Sequence, residues 1–105
     1  MDNFKPLSDF FLAIEKDFRI STTHIAIYAA LLQFRVDSGF INPIQAYRYE
    51  IMKIAKITGP VTYHKCMREL NDYGYISYVP KRSRNQRSVI YFPYSLTNLE
   101  VEFPK

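Results

Sequence analysis

ITGPVTYHKCMRELNDYGYI, residues 57–76, is the stretch on which the predicted fold depends. Its apolar residues recur at i, i+3, i+4, i+7 and i+10, a spacing that places them on one face of an α-helix. These residues are Tyr63, Cys66, Met67, Leu70 and Tyr73. Pro60 and Gly74 are typical of the first turn and the C-terminal end of a helix, respectively. The pattern therefore predicts a helix over 60–73 whose apolar face lies in the core.

The opposite face of this helix is polar and mostly cationic. It carries Val61, Thr62, His64, Lys65, Arg68 and Glu69. Short or cationic side chains of this kind are suited to the phosphates and base edges of DNA. The alternative interpretation is that they are ordinary exposed residues of a surface helix.

Two further helices and a short strand are predicted before this helix. Residues 21–36 begin with hydroxyl residues that can cap a helix and continue with an apolar stripe of Ile25, Tyr28, Ala29, Leu32 and Val36. His24, in the first turn, is expected to be a surface or capping residue rather than a metal ligand. Asn42-Pro43 indicates an extended connector, with a short strand over 44–46. Residues 47–57 predict a helix that directs Tyr47, Ile51, Ile54 and Ala55 to the core.

The N-terminal residues 7–18 predict an additional helix with Ser8 as its N-cap. Its apolar side chains are Phe10, Phe11, Ile14 and Phe18. They either cover the core of the domain or pack against a second copy of the chain. A homodimer through these residues and the C-terminal tail, 93–105, is therefore one predicted assembly.

The residues after Gly74 predict a β-hairpin with a long basic loop. Residues 75–79 and 89–92 are rich in β-branched and aromatic residues, which favour strands. The loop over 80–88 is longer than most hairpin loops and has four cations and no acid. These cations are Lys81, Arg82, Arg84 and Arg87. In the tail, Leu96, Leu99, Val101 and Phe103 either cover the core or extend to a partner, and low order at the chain end is an equally open alternative.

The positive charge is concentrated in one part of the chain. Residues 48–87 contain nine Lys or Arg and three acids, which gives +6, whereas the whole chain of 105 residues has +4. Residues 1–47 and 88–105 each sum to −1. A basic segment that coincides with the predicted helix and hairpin loop points to a nucleic-acid partner.

Composition argues against several other classes of protein. No apolar run approaches the ~18 residues of a membrane helix, and the N-terminus lacks the apolar region of a signal peptide, so a cytoplasmic protein is expected. Cys66 is the single cysteine, which excludes an internal disulfide, and we expect it to be a buried apolar residue. With three glycines and no phosphate-loop, nucleophile-elbow or metal-ligand motif, we predict no enzyme, no cofactor and no metal.

Helix, short strand, helix, tight turn, helix and basic hairpin is the order of the winged helix-turn-helix superfamily, which the chain resembles over 21–92. The most specific local match is Tyr63, Cys66-Met67, Leu70 and Gly74-Tyr75-Ile76. The resemblance extends to small single-domain members carried on bacterial mobile elements. It implies an α+β, mainly α, single domain over 1–105 with a three-helix core, a C-terminal hairpin wing and an extra N-terminal helix.

This resemblance implies double-stranded DNA binding, most simply by a transcriptional regulator. Recognition helix 60–73 would place Thr62, His64, Lys65 and Arg68 at the major groove, and wing 80–88 would place Lys81, Arg82, Arg84 and Arg87 along the backbone or in the minor groove. An accessory or initiation factor for recombination, excision or replication of a mobile element fits equally well. The 17 Tyr and Phe residues leave a third interpretation open, a winged helix that binds proteins.

Overall fold

A computed structural model of the chain describes residues 4–81, 83, 85–96 and 102–104. Within these residues four helices and one three-stranded antiparallel sheet form a single α+β unit. The elements are α1 (Lys5–Ile14), α2 (Thr22–Asp37), β1 (Ile44–Ala46), α3 (Arg48–Ala55), α4 (Pro60–Asp72), β2 (Ser77–Val79) and β3 (Ser88–Tyr91). The α+β class and the predicted order of elements are confirmed.

Helix α1 is displaced from its predicted position. It begins at Lys5 rather than after Ser8, and it ends at Ile14 rather than at Phe18. The early start is compatible with Pro6, because the first turn of a helix needs no amide donor from its proline. The predicted N-cap at Ser8 is therefore wrong. Phe10 is fully buried and stacks on Tyr28 of α2, with ring centroids 3.9 Å apart.

Helix α2 is capped by Ser21, whose side chain accepts a hydrogen bond from the His24 amide. The predicted apolar stripe is only partly correct. Tyr28 is buried, but the other buried positions lie on an adjacent face, at His24, Ile27, Ala30 and Leu31. The apolar circumference of α2 allowed either face, and its packing against both α3 and α4 selects this one. His24 caps the helix as predicted, but it is buried rather than at the surface.

Helices α3 and α4 are separated by a tight turn. Lys56 ends α3 in the left-handed conformation, with φ 63°, and its amide donates to the Met52 carbonyl. Ile51 of α3 is fully buried, whereas Ile54, predicted to face the core, is exposed. Helix α3 is short, and Ile51 is its one fully buried residue among those described. Its buried face is therefore narrower than the spacing of its apolar residues predicts.

Helix α4 buries the predicted apolar residues Tyr63, Cys66, Met67 and Leu70, and Tyr73 packs partly against the core. Its boundaries agree with the prediction within one residue. Gly74 follows with φ 89°, and the next two amides, of Tyr75 and Ile76, both donate to the Leu70 carbonyl. Glycine at this position therefore lets the chain leave the helix and enter the hairpin.

The sheet has the strand order β1-β3-β2. Ile90 is opposite Ile44 of β1 on one side and Tyr78 of β2 on the other. The Asn42 side chain extends the β1–β3 ladder, since it accepts from the Phe92 amide and donates to the Phe92 carbonyl, each at 2.9 Å. On the far side, Asn71 Oδ1 accepts the Tyr78 amide at 2.8 Å. The hairpin is thereby fixed to the C-terminal end of α4.

Part of the C-terminal tail returns to the domain. Leu96 packs partly against the core, and within the tail the Tyr94 amide donates to the Glu102 carbonyl at 2.9 Å. Leu96 thus fits the predicted covering role, and Phe103 is half-buried. Leu99 and Val101 lie outside the described residues.

Candidate nucleic-acid interface

The outer face of α4 presents three of the predicted site residues to solvent. Thr62, Lys65 and Arg68 are exposed. His64 is half-buried, and its Nδ1 lies 3.5 Å from the Tyr78 hydroxyl of β2. The structure therefore brings the polar face of α4 next to the hairpin.

Two of the four cations predicted for the hairpin loop, residues 80–88, are exposed in the structure. Lys81 and Arg87 are exposed, whereas Arg82 and Arg84 lie outside the described residues. The Arg87 guanidinium lies 5.0 Å from the centre of the Tyr47 ring, a cation–π contact with the residue before α3. The loop is therefore connected to the start of α3 as well as to its own strands.

A cleft of about 390 Å³ lies between the start of α3, the face of α4 and the hairpin. Helix α3 and the residue before it contribute Tyr47, Arg48 and Tyr49; α4 contributes His64; the hairpin contributes Tyr78 and Lys81. Tyr47 and Tyr49 stack with ring centroids 5.3 Å apart and planes 8° apart. Aromatic walls and a basic rim are thus brought together from three elements, and we call this feature the tyrosine cleft.

Two of the three acids in the basic segment are held in internal hydrogen bonds. Glu69 accepts from His24 Nε2 at 3.1 Å and from the Tyr73 hydroxyl at 3.3 Å, so its assignment to the outer face of α4 is wrong. Glu50 accepts the Tyr47 amide at 2.9 Å and caps the start of α3. Both carboxylates are therefore engaged by groups of the domain itself.

Ion pairs of Lys and Arg are found near α1 and not on α3, α4 or the loop, among the residues that the structure describes. Lys5 and Arg19 form ion pairs with Asp9 and Asp17. Within the described part of the chain, no ion pair involves the six exposed cations of α3, α4 and the loop. These are Arg48, Lys53, Lys65, Arg68, Lys81 and Arg87. Their charge is therefore available to an anionic partner.

The environment of His64 records this positive field. Partial burial lowers the pKa of His64 below its ordinary value of 6.5, and the nearby charges of Arg48 and Arg68 lower it further. Arg48 of α3 and Arg68 of α4 thus both lie near enough to His64 to act on its imidazole. A bound phosphate would oppose their effect.

A second polar cluster lies on the inner side of α4. His24, Cys66 and Glu69 bring their ligand-type atoms within 4.8 Å of one another. The Ser21 amide donates to His24 Nδ1 at 2.9 Å, so Nε2 carries the proton that is donated to Glu69. A metal at Nε2 would require that proton on Nδ1, where the amide already points. The cluster is therefore better suited to joining α2 to α4 than to binding a metal.

The side chains predicted to form a dimer contact are divided by the fold. Phe10 is buried inside the domain, and Ile14 packs partly against the core. Phe11 and Phe18 remain exposed, Phe18 to 96 %. Phe10 is thus unavailable to a second copy, and of the predicted contact residues of this helix Phe11 and Phe18 remain accessible.

Tyr47, Arg48 and Tyr49 are cleft residues that the sequence interpretation missed as a site. Tyr47, predicted to lie on the core face of a helix, instead precedes α3 and faces the hairpin. The triplet Tyr47-Arg48-Tyr49, with a cation between two aromatic residues, was the available signal. Its position opposite the loop depends on the sheet pairing, which the triplet does not encode.

Comparisons with protein-family models, with curated proteins and with solved structures found no significant match. Among the described residues, no helix is both long enough and apolar enough to cross a membrane.

Proposed function

We propose that this chain is a winged helix-turn-helix protein that binds double-stranded DNA, most simply as a transcriptional regulator. Helix α4 would be the recognition helix and the loop over 80–88 the wing. The observation that carries the proposal is the set of exposed cations on α3, α4 and the loop, two of which line the tyrosine cleft, with two acids of the same segment held in internal hydrogen bonds. Such a surface matches the regular phosphate charge of a duplex.

The arrangement of elements supports the same proposal. A tight turn joins α3 to α4, and the basic loop lies beside the exposed face of α4. A helix on a duplex needs its polar face in the major groove while flanking elements hold the phosphates. In this arrangement Arg48, Lys81 and Arg87 would contact the backbone, whereas Lys65, Arg68 and His64 would reach the groove.

Sequence preference would come from the exposed face of α4. Val61 is 82 % exposed, and Thr62 beside it is also exposed. Apolar contacts of this type are made to the thymine methyl group, and arginine or lysine contacts are made to guanine. We therefore expect a site that combines a thymine near Val61 with a guanine near Lys65 or Arg68.

Selection of duplexes from a random library tests this proposal. The wild-type chain should enrich a defined sequence, and a variant with Lys65→Gln and Arg68→Gln should lose that enrichment. A control variant with Lys5→Gln and Lys16→Gln should keep the enrichment. It removes the same amount of charge, but at the N-terminal helix, from Lys5 in α1 and Lys16 just after it. Equal losses in the two variants would show that only net charge matters and would contradict a recognition role for α4.

A role as an accessory or initiation factor for recombination or replication is the second candidate. The tyrosine cleft favours it, because a uniform duplex presents base edges and phosphates but no free base face to stacked tyrosines. Weak binding to all duplexes alike would favour this role over transcriptional regulation.

A further inference from the structure

The tyrosine cleft contains aromatic residues that have no role in the binding of duplex DNA. Phosphate contacts require cations, and base edges in a groove require hydrogen-bond donors or acceptors. Neither requires three tyrosines, Tyr47, Tyr49 and Tyr78, around one cavity. Aromatic side chains beside cations are instead typical of sites that stack unpaired bases.

Tyr49 is the most accessible of these rings. Its side chain is 64 % exposed although it is large and aromatic, and it lies nearly parallel to the ring of Tyr47. Arg87 contacts the Tyr47 ring, and the Tyr47 hydroxyl donates to the Asn85 carbonyl at 3.4 Å. Tyr47 is thus held by the hairpin loop, and it supports Tyr49 as a platform on which another flat ring can stack.

The size and charge of the cleft define what can occupy it. Its volume of about 390 Å³ falls within the range of pockets that take small molecules, and a duplex cannot enter it. Arg48 and Lys81 lie on its wall and can bind the phosphate of the same nucleotide. His64 and Tyr78 add polar atoms at the inner side, between α4 and β2.

We propose that the tyrosine cleft binds one unpaired base of a DNA strand that lies across α4 and the hairpin, stacked on Tyr49. This inference rests on the proposed DNA-binding function and extends it. The preferred ligand is DNA in which unpaired bases adjoin a duplex, as in a fork or a bubble. The adjoining duplex contacts the exposed cations of α3, α4 and the loop, and the unpaired base occupies the cleft.

Anisotropy titrations with a blunt duplex and a forked duplex of the same sequence test the proposal. Stacking of one base strengthens binding by about 5- to 150-fold, so the wild-type chain should prefer the fork by a factor in this range. Tyr49→Ala should remove most of the preference, and Tyr49→Phe, which keeps the ring, should retain it. Tyr94→Ala, at an exposed tyrosine outside the cleft, is the matched control and should retain it too.

A 2-aminopurine base at the unpaired position provides a second readout. Its fluorescence should be quenched when the wild-type chain binds, and the quenching should be lost in Tyr49→Ala. Equal affinity for fork and duplex, or a preference that survives Tyr49→Ala, would overturn the cleft assignment while leaving duplex binding intact. Binding of free dAMP as tight as that of the fork would assign the cleft to a mononucleotide instead. Failure to bind either DNA would overturn the proposed function itself.

Discussion

Asp17 is the residue that connects the α1–α2 segment to the chain after α4. Both Arg19 Nε and Nη2 donate to its carboxylate at 2.8 Å, and the Tyr75 hydroxyl donates at 2.6 Å. The Arg19 side chain holds the pKa of Asp17 well below its ordinary value of 3.8, and the Tyr75 hydrogen bond lowers it further. A carboxyl group whose pKa falls on folding stabilises the fold above its ordinary pKa, and this contribution is lost as the pH falls toward the folded value.

Asp17→Asn should therefore lower the free energy of unfolding by about 1.5–3 kcal/mol at neutral pH, the range for hydrogen bonds to a charged group. The difference in the free energy of unfolding between wild type and variant should narrow as the pH falls below 3.8. Protonation of Asp17 then removes from the wild type the charged hydrogen bonds that the variant lacks. Urea denaturation at neutral and acidic pH measures both values. Asp37→Asn, at an exposed acid of α2, is the control, and a deficit for Asp17→Asn that is the same at both pH values would contradict the explanation.

His64 should make DNA binding dependent on pH. Burial and the charges of Arg48 and Arg68 lower its pKa in the free protein, and DNA phosphates would raise it. Binding would then take up a proton, so affinity should increase as the pH falls toward the pKa of His64 in the free protein, which lies below 6.5. Affinities between about pH 5.5 and pH 8 measure this, and His64→Gln should flatten the profile. A profile that is unchanged in His64→Gln would remove this residue from the interface.

Single residues were the least predictable part of the molecule. His24 and Glu69 are 45 positions apart, and their hydrogen bond exists only because α2 packs against α4. Local spacing therefore gave no reason to place Glu69 inside or to bury His24. Capping by His24 was predictable, because Ser21 is its neighbour three residues before it.

At the scale of elements, helix ends were predictable where a residue type determines the backbone locally. Pro60 and Gly74 fixed the ends of α4 to within one residue. The position of α1 was not predictable from Ser8, since a helix can begin earlier when Pro6 occupies its first turn. The buried face of α2 depended on two packing partners, so periodicity alone left it open.

Gly74→Ala tests the importance of the left-handed helix end. An added Cβ would meet no atom within 4 Å, so the cost comes from φ of 89° alone and should be about 1–2 kcal/mol in the free energy of unfolding. Gly74→Asn is the matched control, because asparagine adopts the left-handed conformation more readily than alanine does. Denaturation of the two variants should show a larger loss for the first than for the second; equal losses would contradict a special role for the left-handed conformation at Gly74.

At the scale of the whole molecule, the order of elements was accessible from the sequence, but the tyrosine cleft was not. Strand β3 pairs with both β1 and β2, and this pairing carries the hairpin loop to the start of α3. The +6 segment indicated that charge was concentrated, although only the structure places Glu50 and Glu69 in internal hydrogen bonds. Long-range pairing decides both features.

The exposed aromatic residues near α1 lead to a prediction about assembly. Phe11 and Phe18 remain accessible after folding, and we expect them to contact a second copy of the chain. The wild type should be a dimer at tens of micromolar in analytical ultracentrifugation, and Phe11→Ser with Phe18→Ser should be a monomer. The control is Val79→Ser, at an exposed apolar residue of β2, which should remain a dimer. A monomeric wild type would refute the prediction.

The salt dependence of duplex binding is the most direct test of DNA binding by this surface. Each phosphate contact contributes about −0.9 to the slope of log affinity against log salt concentration. Lys81→Gln with Arg87→Gln should therefore make the slope less negative by about 1.8 for two contacts, while Lys5→Gln with Lys16→Gln leaves it unchanged. Slopes that are the same in all three proteins would contradict a DNA interface that includes the hairpin loop.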